Sequence, residues 1–279
     1  MTLTQKPASI GKQFNCYYLA ASVLAVASLG AGCAAQPAKQ GHQRESAWIP
    51  LFNGQNLDGW RIKIAGHKLD DNYLNTFRVE DGLLRIVYDD YESFNGKFGH
   101  IFYDTPFSHY KLRVEYRFVG EQIPGAPGWA YRNGGVMLHG QSPQSMGLDQ
   151  AFPVSIEAQM LGGDGTNQRP TANVCTPGTH IVMNDQLVTR HCINADAPTF
   201  HGDQWVTMEI EVRGSELIRH IIDGRVVLEY SEPQYDENDP EALRFISGPD
   251  KLISEGYISL QAESHPIDFR KVELLPLSD

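Results

Sequence analysis

A carboxylate at Glu157 and an amide at Gln159 stand two residues apart in PVSIEAQMLGGDG (153–165), a stretch that also carries Val154, Ile156, Ala158 and Met160. Period-two alternation puts the hydrophobic set on one face of a β-strand and Ser155, Glu157 and Gln159 on the other. That polar set holds no Lys or Arg, whereas a face that only meets water usually mixes long charged side chains of both signs. Two further strands share this character. In GGVMLHGQ, Met137, His139 and Gln141 oppose Val136 and Leu138, and in GYISLQAESH, Tyr257, Ser259, Gln261 and Glu263 oppose Ile258 and Leu260. Amides, an imidazole, isolated carboxylates and a tyrosine recognise hydroxyl-rich ligands through directional hydrogen bonds. Trp129 and Tyr131 precede the His139 strand, and Asn133 lies between them and it. Such aromatics offer flat surfaces on which the C–H faces of a sugar ring can stack. The alternative for His139 and Glu157 is a buried, hydrogen-bonded pair that only pins the fold.

Strands must carry these groups, because strand signals dominate the chain. YKLRVEYRFVG alternates Leu112, Val114, Tyr116 and Phe118 with Lys111, Arg113, Glu115 and Arg117, and WVTMEIEVRG alternates Val206, Met208, Ile210 and Val212 with Thr207, Glu209, Glu211 and Arg213. Their charged faces read as plain surface. Asp81-Gly82 and Asp223-Gly224 each separate two strand-like runs and predict tight hairpins. Helical periodicity is weak and confined to DENDPEALRFI. Many short antiparallel strands with Gly, Pro and Asn turns predict an all-β, two-sheet β-sandwich or jelly roll. Trp48 and Trp205 read as core residues of it.

The chain has 279 residues, 41% of them hydrophobic, enough for a sizeable core. A net charge of -11 argues against nucleic acid as a partner. Residues 1–33 read as an export signal: Lys6 and Lys12 precede the apolar run YYLAASVLAVASLGAG, which ends in small residues before Cys33. LGAGC, ending at Cys33, resembles a bacterial lipoprotein signal and implies lipidation of that cysteine. Residues 34–47, small and polar, suit a flexible tether, leaving 48–279 as the folded domain. The expected location is the periplasm or the outer membrane, with the lipid as the only membrane contact. Cys16 leaves with the signal, so Cys175 and Cys192 remain in an oxidising compartment and are expected to pair. The alternative is free thiols or metal ligands beside His180 and His191.

WIPLFNGQNLDGW, GHIFYDTPFSHYKLRVEYRF, NGGVMLHGQ, SIEAQMLGG, NVCTPGTH and GYISLQAESHPIDFRKVELL resemble, in order and across nearly all of Trp48 to Leu275, the bacterial 3-keto-disaccharide hydrolase family. The resemblance implies a concanavalin A-like lectin/glucanase jelly roll acting on glycosides oxidised to a ketone at sugar carbon three. Retaining glucanases of that fold carry a close pair of catalytic carboxylates on one strand face. Here Leu161 occupies the place four residues after Glu157, and Gln159 the middle place.

A 3-keto sugar opens another route, since its carbonyl acidifies the C–H at carbon two. A base removes that proton, the aglycone leaves carbon one, and water adds back. Glu157 or His139 is the expected base, Gln159 an orienting amide, and Glu263 or His265 the acid for the leaving oxygen. Trp129, Tyr131, Asn133, Gln141 and Gln261 are the expected substrate-binding residues. No cofactor is expected. A divalent ion would stabilise an enolate, yet no H-x-H or H-E-x-x-H spacing supports metal ligands. The rival functions are a non-catalytic carbohydrate-binding or adhesion module, and an endo-glucanase drawing a second carboxylate from elsewhere, such as Asp164.

Overall fold

The computed structural model describes residues 47–278. The expected export signal, Cys33 and nearly all of the tether lie outside the described residues. In chain order the strands are β1 (Ile49–Pro50), β2 (Trp60–Ile64), β3 (Phe77–Glu80), β4 (Leu83–Ile86), β5 (Gly99–Tyr103) and β6 (His109–Phe118). Then come β7 (Asn133–Gly140), β8 (Ile156–Leu161), β9 (Asn173–Cys175), β10 (Thr179–Met183), β11 (Gln186–Val188) and β12 (Cys192–Ile193). The last five are β13 (Val206–Arg213), β14 (Leu217–Ile222), β15 (Arg225–Tyr235), β16 (Tyr257–Ala262) and β17 (Ile267–Pro276).

Ten strands form one sheet in the order β11-β10-β15-β14-β13-β6-β17-β4-β3, with β1 beside β17, and seven form another in the order β12-β9-β8-β7-β16-β5-β2. The strands pair antiparallel, giving the all-β two-sheet sandwich that the alternation predicts. Its core is visible in single rows. Across the smaller sheet Ile62, Ile101, Leu260, Val136, Ala158 and Val174 stand side by side in register and are all buried or nearly so. From the larger sheet Leu112, Val114, Met208 and Ile210 meet them with no exposure. Burying each such side chain contributes roughly 1.5–3 kcal/mol.

Both Asp-Gly hairpins form. Asp81 and Gly82 have φ of 52° and 76°, Asp223 and Gly224 of 51° and 74°, the doubly positive angles that a two-residue turn requires. DENDPEALRFI yields only a 3-10 turn, Ala242–Phe245.

The outer face of the larger sheet is charged, as expected, but its charges are paired. Arg113 lies 2.6 Å from both Glu209 and Glu273, and Arg117 and Arg85 each lie 2.8 Å from the buried Asp268. Trp48 and Trp205 belong to this face, which corrects the core reading. Trp48 stacks under Arg113 at 4.1 Å, and Trp205 has the Arg117 and Arg270 guanidinium groups each 4.6 Å from its ring. Their indoles find cation–π partners outside instead of apolar neighbours inside. Among the described residues no helix is long and apolar enough to cross a membrane.

Candidate active site

The two outward rows that flank the apolar one hold the polar groups. Gln159 pairs with Gly135 on one side and Asn173 on the other, Glu157 pairs with Met137 and Cys175, and Gln261 pairs with His100. On this face a cavity of about 430 Å³ opens, within the usual range for small-molecule sites. Glu157, Glu263, Gln159, Asn133 and Arg169 supply its polar groups. Trp129, Phe152, Leu161, Pro177 and the Cys175–Cys192 disulfide supply most of its wall.

Glu157 is 6% exposed although it lines a cavity, and its Oε1 has no hydrogen-bond partner among the described residues. Gly135 explains its position. A Cβ there would meet Glu157 Cγ at 2.6 Å and Cδ at 2.9 Å, so only glycine lets the side chain lie across the neighbouring strand. Glu263, just beyond the end of β16, reaches the same cavity and also has an unpaired oxygen, Oε2. Burial raises the pKa of Glu157 above the usual carboxylate range. Burial, and then the negative charge of Glu157, raise that of Glu263, with Arg169 opposing. Each carboxyl therefore holds its proton to higher pH than a free glutamate, and the two titrate as a pair.

Neighbouring groups orient the rest. Asn173 Nδ2 donates to Gln159 Oε1 at 3.1 Å, which leaves the Gln159 amide nitrogen to donate to a ligand. Arg169 donates to the carbonyls of Trp129 at 3.0 Å, Arg132 at 3.0 Å and Gly162 at 2.8 Å, fixing the segment that carries Trp129. Trp129 is 56% exposed and lies parallel to Phe98, centroids 6.0 Å apart and planes within 5°. Phe98 in turn touches Phe152 at 4.8 Å. The three rings form an aromatic shelf, of which Trp129 and Phe152 line the cavity.

Five of the expected residues stand elsewhere. His139 has φ of 50°, which breaks the alternation and turns its ring towards the β13–β14 turn, where Nε2 lies 2.9 Å from the Gly214 carbonyl. It is buried with a pKa near 4 from desolvation, and does not line the cavity. His265 packs between Tyr131 and Phe118 at 5.2 and 5.7 Å, away from the lining, and burial brings its pKa to about 4. Tyr131, packed on that imidazole, is likewise outside the lining. Gln141 spends its amide on Ser145, Gln150 and the Val154 N–H, closing the base of the β7–β8 connection. Gln261 faces the expected way but is fully buried and outside the lining.

Arg169, Phe152 and Pro177 join the lining without having been anticipated, and so does His191, expected only beside a possible metal. Each lies outside the period-two segments in which polarity could be read. The weak signal was composition: Phe152 directly before a proline and a lone Arg169 in TNQRPT. Cys175 and Cys192 are disulfide-bonded, and with His191 they form a cluster within 4.8 Å. The disulfide takes both thiolates, which removes the metal-ligand alternative there. Asp164 is exposed, caps its own loop through Thr166 and Asn167, and is no second acid for Glu157.

Solved structures with a similar chain path include a candidate glycosyl hydrolase from Parabacteroides distasonis, with 18% identity, 83% of this chain and 100% of that chain covered, and a TM-score of 0.49. A Bacillus licheniformis β-glucanase gives 13% identity, 84% and 100% coverage and a TM-score of 0.45. A carbohydrate-binding module from Bacillus subtilis gives 10%, 83% and 97%, and 0.41. No curated protein matches the sequence significantly. A family model does, from residue 47 to residue 275, and the chain therefore belongs to the 3-keto-alpha-glucoside-1,2-lyase-like domain family.

Proposed function

We propose that this protein is an exported enzyme that cleaves 3-keto-glycosides, with Glu157 and Glu263 as base and acid. The observation that carries this reading is the carboxyl pair itself, two buried glutamates that line one cavity, each with an oxygen free of protein partners among the described residues and each raised in pKa by burial. Glu263 feels the charge of Glu157, so the two titrate as a pair, and the reactive form in this reading has Glu157 ionised and Glu263 protonated. Glu157 takes the hydrogen from sugar carbon two, and that electron pair forms the C1–C2 double bond conjugated with the C3 ketone. The C1–O bond breaks, and the leaving oxygen receives the proton of Glu263. Addition of water at C1 with return of a proton to C2 completes hydrolysis, and release before that step makes the reaction an elimination.

Gln159, oriented by Asn173, donates to the oxygen that gains charge. Trp129 offers its open face to the sugar ring. Leu161, where a second acid would serve nucleophilic displacement, lines the cavity as hydrocarbon. The sequence is redox-neutral, so it requires no electron carrier, and we assign no cofactor; undiminished turnover in a chelator is the expected result. In the cell the domain is tethered by a lipid on Cys33 in the periplasm or at the outer membrane.

Incubation with a 3-keto-glycoside and with its unoxidised parent tests the reading. Aglycone release from the first alone is expected. Release from the parent at a similar rate overturns it. Release from neither, with binding retained, returns a carbohydrate-binding module, the reading favoured by the exposed Trp129 shelf.

A further inference from the structure

Beneath the β7–β8 connection lies a group of polar side chains that the proposed chemistry does not use. Ser259 and Gln261 of β16 and His100 of β5 point away from the apolar core, since Leu260 and Ile101 between them pack into it. They occupy the outer face, as Glu157 does, and yet have no exposure at all. Both ring nitrogens of His100, both ends of the Gln261 amide and the Ser259 hydroxyl have no hydrogen-bond partner among the described residues. Buried polar groups are almost always satisfied, and five unpaired atoms on three adjacent side chains mark a place that expects a hydrogen-bonding guest.

Phe152 and the loop that carries it lie at the His100 end of the group. Phe152 is half-buried, lines the cavity, and sits 6.1 Å from the His100 imidazole. The loop behind it is held down where Lys63 Nζ and Gly66 N–H donate to the Leu148 carbonyl at 2.8 and 2.9 Å. Phe152 therefore stands between the cavity and the polar group, and a change in its side-chain rotamer would join them. Gln261 is one residue past the Leu260–Val136 pair and so lies beside Gly135, the residue over which Glu157 leans. Elsewhere in the lining Leu161, Pro177 and the disulfide are poor partners for a hydroxyl, and His191 is the polar side chain beside them.

We infer that His100, Ser259 and Gln261 form the floor of a second subsite, continuous with the cavity and closed by Phe152, that takes the hydroxyl groups of a saccharide leaving group. This rests on the proposed cleavage only for the identity of what leaves. The guest is a polyol ring: imidazole, hydroxyl and amide provide donors and acceptors without a formal charge.

The full chain and its His100→Phe and Ser259→Ala variants are assayed with a 3-keto-glucosyl-glucose and with phenyl 3-keto-glucoside. Neither substitution removes a protein hydrogen bond of the side chain, and if one variant fails to fold the other carries the test. The expected result is a fall of at least about tenfold in the kcat/KM ratio of disaccharide to phenyl glucoside. An unchanged ratio overturns the subsite, because the polar group then holds only water, and so does an equal fall for both substrates. Should the unaltered protein cleave neither compound, the proposed function fails while the subsite is still read by calorimetry. Weaker binding of unoxidised glucosyl-glucose by the variants supports it, and equal binding overturns it.

Discussion

Glu157 lies across Gly135, with its side-chain carbons where a Cβ on the neighbouring strand would have to be. The backbone of β7 leaves the space that the side chain fills, so strand pairing sets where Glu157 stands in the cavity that Glu263 also lines.

Gly135→Ala therefore pushes Glu157 aside without touching the core row, which runs through Val136. Cleavage of a 3-keto-glycoside should fall by about 100-fold, the scale of an ångström's misplacement, while the far-ultraviolet circular dichroism is unchanged. Full activity in this variant would show that the carboxyl works from some other position.

Stability should depend on pH from two sides. The unfolded chain releases the Glu157 and Glu263 protons near the ordinary value of 4.5, whereas the folded pair keeps a proton to higher pH. This contribution is therefore intact in acid and is lost as the pH rises through the raised folded values. His100, with a pKa of about 3, and His139 and His220, at about 4, act in the opposite sense. The unfolded chain protonates them near 6.5 and the folded chain does not, so stability falls below that pH, by about 1.4 kcal/mol per unit for each. Thermal midpoints measured from about pH 4 to 9 should show both slopes, and Glu157→Gln should make only the one at rising pH shallower, because the burial of Glu263 remains. If that slope is unchanged by the substitution, Glu157 is not part of its source.

The Cys175–Cys192 disulfide ties edge strand β12 to β9 directly opposite Glu157. Reduction opens a loop spanning 17 positions and should cost about 3 kcal/mol on chain-entropy grounds. Below the new melting point, KM should rise more than kcat falls, because the wall moves and the carboxyl pair does not. A loss confined to kcat would place the disulfide in the chemistry itself.

Cys33→Ala should move the protein from the membrane fraction to the soluble periplasmic fraction without altering cleavage by the purified domain. Continued membrane association would reject the lipid as its anchor.

Period-two alternation determined the sandwich, its core row and the two Asp-Gly hairpins, because burial of one strand face and a doubly positive φ leave local marks in residue order. The same alternation put Glu157, Gln159 and Gln261 on one outward face. It failed at His139, where a positive φ that no neighbouring residue announces turns the ring to Gly214. Only tertiary structure brought Glu263 to Glu157 across β7, set Arg169 under Trp129 and laid Phe152 over His100. Those relationships are made between segments far apart in the chain, and strand order and loop path, which set them, are not written in the period of any one strand.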